Sequence, residues 1–132
     1  MESGEILDAA QVGFAGLDVV PSTQTAALEH LSVWLDDPRF AAYRSQILSL
    51  SNRCHWRTLL DSFYQHLPFG TGGRRGRVGI GPNRFNPWTF AVSIQGHATW
   101  LRTIHGDGPL MVVVGYDVRQ FQDLYGALDP DI

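Results

Sequence analysis

The residues of this chain that are best suited to chemistry lie close together, between Phe69 and Asn86. This stretch, FGTGGRRGRVGIGPNRFN, holds six glycines and four arginines and no acidic residue. Glycine lets backbone N–H groups approach a ligand without a side chain in the way. Arginine presents forked donors that match the oxygens of phosphate and carboxylate groups. The stretch therefore predicts a cradle for a compact anion.

Two common phosphate-binding motifs do not fit this stretch. A P-loop requires a lysine, and the chain contains none. The dinucleotide-binding fingerprint would require glycine at position 75, which is arginine. On composition alone a solvated flexible loop is as good an interpretation as an anion site. An RGG-type RNA-binding segment fits less well, because the stretch is short and lies between periodic segments.

The charge distribution favours a small anionic ligand over nucleic acid. The 132 residues carry a net charge of −3, and residues 1–37 contain seven acids and neither lysine nor arginine. A long polyanion would require a wider basic face. The chain has no apolar run of membrane-spanning length, no basic secretory region and a single cysteine. We therefore expect a cytoplasmic protein without a membrane or nucleic-acid partner.

Three helices are predicted ahead of the glycine-arginine stretch. Residues 1–22 show no clear period, so we interpret them as an irregular lead-in. Apolar residues at helical spacing predict helices over about 23–36, 38–50 and 55–66, the first two separated by Asp37-Pro38. Residues 1–66 are thus expected to form a lead-in and a helical extension.

The second half of the chain predicts an α/β fold. We expect a short strand at 77–80, a helix from Asn86-Pro87 to about Leu101, and a buried strand at PLMVVVGYD, Pro109 to Asp117. A parallel neighbour for that strand requires a crossover and a second apolar run, which the remaining residues do not provide. Residues 67–132 therefore read as the incomplete first part of a mixed or parallel sheet with flanking helices.

Four segments of the chain resemble one enzyme family. LPFGTGGRRGRVGIGPNRFN (67–86) is similar to the N-terminal signature of the alpha-D-phosphohexomutases, the superfamily of phosphoglucomutase and phosphomannomutase. FAVSIQGHATWL and VVVGYDVR resemble the helix after that signature and the first long strand with its active-site end. ALEHLSVWLDDPRFAAYRSQI resembles the helical extension of the larger members. The resemblance implies a truncated chain that opens domain 1 of a larger enzyme.

The resemblance also implies site residues. Arg75 matches the family arginine that faces the active site, so we expect it to be catalytic. Arg74 stands where the family usually has leucine, which leaves open which of the two arginines turns inward; the spacing from Thr71 favours Arg75. The substrate- and phosphate-binding residues implied in this way are Thr71, Gly73, Arg75, Arg77, Asp117 and Arg119.

The family's chemistry is an isomerisation by intramolecular phosphoryl transfer in carbohydrate metabolism. A phosphoserine donates its phosphoryl group to a hexose phosphate, with Mg²⁺ and an activator of the glucose 1,6-bisphosphate type. The family's Ser-His-Asn loop does not occur here, since no serine follows Ser93, and the Asp-rich metal loop is also missing. We therefore expect no metal ligands in this chain and no activity of the chain alone.

Two other functions stay open. The chain could be a non-catalytic anion-binding or regulatory module that keeps the loop, or a helical interaction domain with a merely solvated loop. Within the enzyme interpretation, the sequence does not separate glucose from mannose or pentose phosphates, and it does not indicate an oligomeric state.

Overall fold

The computed structural model describes residues 2–116 and residue 118 and is helical throughout its regular parts. No β-strand occurs among those residues. The elements are α1 (Ser3–Ala15), α2 (Pro21–Asp36), a 3-10 helix (Pro38–Tyr43), α3 (Arg44–Asn52), α4 (Trp56–Phe63) and α5 (Pro87–His105).

The hydrophobic core lies among α1, α2, α3 and α4. Phe14, Leu31, Ile47 and Phe63, one from each helix, are completely buried. Burying a side chain of this size stabilises the fold by about 1.5–3 kcal/mol. These four helices form the rigid support on which the glycine-arginine stretch lies.

The predicted irregular lead-in is wrong, because residues 3–15 form α1. Ile6, Ala10 and Phe14 recur every four residues and are all completely buried. The helix begins with a capping box in which the backbone N–H of Glu2 donates to the Glu5 carboxylate at 2.7 Å. With one core residue per turn, one of them alanine, the apolar stripe is too narrow to show a clear period in the sequence.

The other predicted helices are confirmed with shifted ends. α2 begins at Pro21, because proline suits the first helical position. The segment predicted at 38–50 starts as a 3-10 helix and becomes α3, which continues to Asn52. α4 ends at Phe63, three residues before the predicted end. α5 continues four residues past Leu101, until Gly106 ends it at a φ of +68°.

The structure does not confirm the α/β prediction. The short strand predicted at 77–80 is absent, and only an isolated bridge joins Val78 to Phe85. Residues 109–116 have no regular secondary structure and are exposed, Val113 to 94%. A strand needs a partner for its backbone donors and acceptors, and the described residues provide none for this segment. Asp117, its predicted last residue, lies outside the described residues.

None of the helices in the described part of the chain combines the length and the hydropathy needed to cross a membrane.

Candidate anion-binding site

The first part of the stretch is a tight turn with glycines at both ends. The backbone N–H of Gly70 donates to the carbonyl of Gly73 at 3.0 Å, and Gly73 donates back to Gly70 at 3.1 Å. Gly73 has a φ of +97°, which favours glycine. The two hydrogen bonds leave Thr71 and Gly72 exposed at the tip. This segment, residues 70–73, is called the tip turn below.

Arg74 anchors the tip turn to the start of α5. Its Nη1 donates to the Ser93 hydroxyl at 2.8 Å and to the Thr89 carbonyl at 3.3 Å. Its guanidinium also lies over the ring of Phe69, 4.3 Å from the ring centroid. The side chain is half-buried and already bonded to the protein, so its role here is to hold the turn in place.

The surroundings of Arg75 differ from those of Arg74. It is exposed and has no hydrogen-bond or ion-pair partner among residues 2–116 and 118. A Cβ placed on Gly72 would lie 3.5 Å from Nη2 of Arg75, so the guanidinium lies beside the tip turn. The guanidinium of Arg75 therefore lies close to the tip turn, which contains Thr71 and Gly73, with its positive charge next to exposed backbone.

Arg77 lies elsewhere. Its carbonyl accepts a hydrogen bond from the N–H of Phe85 at 2.8 Å, and its side chain lines a cleft beside α4 that Arg75 does not line. Arg77 thus lines a different part of the surface from the tip turn and Arg75. Asp117 and Arg119, which complete the predicted set, lie outside the described residues.

The second half of the stretch is tied to the end of α4. Nη2 of Arg84 lies 2.5 Å from the carboxylate of Asp61, and only 8% of the Arg84 side chain is exposed. Nδ2 of Asn83 donates to the Asp61 carbonyl at 2.8 Å. Gly81 has a φ of +95°, and a Cβ there would lie 2.3 Å from the carbonyl oxygen of Ser62. Only glycine permits this close approach to α4.

Asn86 connects this half of the stretch to α5. Its Nδ2 donates to the carbonyls of Gly79 and Gly81, both at 2.9 Å. Its Oδ1 accepts from the N–H of Thr89 at 2.9 Å and so caps the helix. One side chain therefore fixes the loop and begins the helix to which Arg74 is bonded.

Two histidines lie near Arg74. The rings of His30 and His66 meet edge to face, with centroids 4.8 Å apart, and Nδ1 of His30 lies 2.6 Å from the Phe63 carbonyl. Desolvation lowers the pKa of His66 below its usual value, and the charges of His30 and Arg74 lower it further. Adding a proton to the His66 ring is therefore less favourable than in water, because the ring is partly desolvated and Arg74 is positively charged.

Two curated proteins are similar in sequence to part of this chain. The chain is 30% identical over 103 residues to the phosphoribomutase of Saccharomyces cerevisiae, covering 78% of this chain and 16% of that protein. It is 34% identical over 68 residues to the phosphoglucomutase of Staphylococcus haemolyticus, covering 52% of this chain and 12% of that protein. The chain belongs to the phosphohexomutase superfamily. The resemblance noted in the sequence is thereby confirmed.

The similarity of this chain to its curated relatives covers only part of their length. The matched residues make up less than a fifth of either curated relative. No protein-family model matches the chain. No solved structure matches it either.

Sequence reasoning missed the residues that brace the phosphohexomutase loop. Arg74 donates to the backbone carbonyl of Thr89 and to the hydroxyl of Ser93, and nothing local to Arg74 in the sequence indicates either contact. The pairing of Arg84 with Asp61 joins residues 23 positions apart, and nothing local in the sequence indicates it.

Proposed function

We propose that this chain provides the phosphate-binding loop of a phosphohexomutase that acts on a phosphorylated sugar. The observation that carries the proposal is Arg75, whose guanidinium lies beside the tip turn and has no partner among the residues that the structure describes. Arg74, at the next position along the chain, is already bonded to α5. Membership of a superfamily whose curated relatives are a phosphoribomutase and a phosphoglucomutase supports a sugar phosphate as the ligand.

Arg75 would bind the phosphoryl group. Its forked donors match two phosphate oxygens, and they act most strongly on the charge that spreads over those oxygens in the transition state. The hydroxyl of Thr71 and the exposed backbone of the tip turn would add neutral donors. Gly73 permits the positive φ that closes the turn. Binding energy that grows as the phosphoryl group moves would raise turnover as well as affinity.

We also propose that the reaction uses a phosphoserine, Mg²⁺ and a sugar bisphosphate activator, supplied from outside this chain. The sequence contains no serine after Ser93 and no Ser-His-Asn loop. Residues 2–116 and 118 contain no group of three His, Cys, Asp or Glu side chains that could hold a metal ion. No step assigned to these residues therefore runs through the metal.

The same loop would also serve a non-catalytic anion-binding or regulatory module. Binding through the exposed guanidinium of Arg75 requires no phosphoserine, so the same residues suit this second function. The two functions differ in whether the loop supports turnover, and one experiment separates them.

The test places the 103 residues of this chain that match the yeast phosphoribomutase in that enzyme, in place of the segment that they match. We expect this chimera to interconvert ribose 1-phosphate and ribose 5-phosphate. Arg75→Ala should lower kcat by about 100-fold or more, because a donor to the transferred group is lost. Arg53→Ala, at an exposed arginine at the end of α3, is the matched control and should keep full turnover.

Either of two results would count against the enzyme function. A folded chimera without activity that still binds the sugar phosphate would favour the non-catalytic module. An active chimera that is unaffected by Arg75→Ala would remove Arg75 from the site.

A further inference from the structure

A second cationic cleft lies on the side of α4 that faces residues 77–84. It has a volume of about 400 Å³, which is within the range of small-molecule sites. Arginines from three places in the sequence line it, namely Arg57, Arg77 and Arg84. Asp61 provides the acidic side chain of the lining. The tip turn and Arg75 do not take part, so this cleft is separate from the loop discussed above.

The carboxylate of Asp61 is already paired within the protein. Asp61 pairs with Arg84 at 2.5 Å, and a second bond from Arg84 to the Asp61 carbonyl at 3.3 Å fixes the pair. Arg84 is buried, so this pair forms a rigid and nearly neutral wall of the cleft. Among the described residues, no carboxylate lies within ion-pair distance of Arg57 or Arg77.

Arg57 and Arg77 are both exposed, and neither has a hydrogen-bond or ion-pair partner within the described part of the chain. Their backbones are held firmly. Arg57 is the second residue of α4, and Arg77 is joined to Phe85 by a backbone hydrogen bond at 2.8 Å. Because both side chains are positively charged and line the same cleft, they repel each other. An anion bound between them would be attracted to both arginines.

The surroundings of the cleft define the size of the ligand. Val19 and Thr23 line it on one side, and both belong to the first 37 residues, which carry seven acids and neither lysine nor arginine. The volume of the cleft, about 400 Å³, suits a compact ligand. The hydroxyls of Thr58 and Tyr64 in the lining would suit the polar part of a compact ligand.

We propose that this cleft is a second anion site, which takes a phosphate dianion between Arg57 and Arg77. The ligand is either inorganic phosphate or the phosphate group of a small ester such as a sugar phosphate. This inference rests on the cleft and its charges and is independent of the function proposed for the tip turn.

Titration of the 132-residue chain by NMR at constant ionic strength tests the proposal. The probes are inorganic phosphate and glucose 6-phosphate, with unphosphorylated glucose as the reference. We expect phosphate-dependent shifts of the backbone amides of Thr58 and Val78, which lie next to the two arginines. Arg57→Gln and Arg77→Gln should each weaken this response by about tenfold, and together they should abolish it.

Matched variants keep the two sites distinguishable. Arg53→Gln changes an exposed arginine outside the cleft and should leave the response unchanged. Arg75→Gln should affect only the amides of residues 70–75. In the unsubstituted chain, a response of Thr58 and Val78 without any response of residues 70–75 would contradict the function proposed above and support the second site.

The proposal is overturned if Thr58 and Val78 do not respond to either phosphate probe, or if their response survives the double variant Arg57→Gln/Arg77→Gln. Tighter binding of glucose 6-phosphate than of inorganic phosphate would identify an ester as the ligand. The reverse order would identify free phosphate.

Discussion

At the scale of single residues, the four arginines of the glycine-arginine stretch divide by what they already contact. Arg74 and Arg84 are bonded within the protein, to α5 and to Asp61. Arg75 and Arg77 have exposed guanidinium groups without partners among the described residues. The composition of the stretch indicated an anion site but could not assign these roles, because the partners of Arg74 and Arg84 come from other elements.

This division predicts that substitutions at the neighbouring positions 74 and 75 change the stability by different amounts. Arg74→Ala removes two hydrogen bonds and the stacking on Phe69, and it should lower the free energy of unfolding by about 1–2 kcal/mol. Arg75→Ala removes no described contact and should change it by less than about 0.5 kcal/mol. Urea unfolding followed by circular dichroism measures both. Equal losses would show that Arg75 also has a structural role.

His66 makes the stability depend on pH. Because its pKa in the folded state is lowered by desolvation, His30 and Arg74, the unfolded chain binds the proton more readily. Well above pH 6.5, the ordinary pKa of histidine, both states are unprotonated at His66 and the folded state loses no stability. As the pH falls through this value, the unfolded chain takes up the proton first, and the free energy of unfolding decreases. We expect the urea midpoint to fall between about pH 7 and pH 5, and His66→Gln to flatten this fall. An unchanged slope in the variant would exclude His66 as its source.

At the scale of elements, a helix or strand was predicted correctly when the interactions that stabilise it lie within its own segment. α2, α4 and α5 were predictable because their caps, prolines and apolar spacing lie within the segments themselves. α1 was missed because Ala10 contributes as little to the apolar pattern as an exposed alanine would. The strand predicted at 109–117 depended on a partner strand, which a segment's own residues cannot provide.

The loop between α4 and α5 depends on one close backbone contact. Gly81→Ala would place a Cβ 2.3 Å from the Ser62 carbonyl at a φ of +95°, so we expect a loss of at least about 2 kcal/mol in the free energy of unfolding. The matched change Gly96→Ala, in the middle of α5, meets nothing within 4 Å. It should stabilise the helix by about 0.5–1 kcal/mol. Urea unfolding compares the two, and a tolerated Gly81→Ala would contradict the tight docking of the loop.

At the scale of the whole molecule, the described part consists of a helical support, a braced loop and an exposed helix. α5 keeps Phe90, Ile94, Trp100 and Ile104 more than half exposed, although the sequence alone would assign such residues to a core. Composition could not reveal this, because burial depends on what packs against a helix. The superfamily was nonetheless recognisable, since its signature lies in one continuous stretch that includes the tip turn.

The central claim is that the tip turn and Arg75 bind the phosphate of a sugar phosphate. An NMR titration of the chain with ribose 5-phosphate, with ribose as the reference, tests it most directly. We predict saturable shifts of the amides of Thr71, Gly72 and Gly73 with the phosphorylated sugar only, and their loss in a folded Arg75→Ala variant. Equal shifts with ribose, or no shifts at residues 70–75, would contradict the claim.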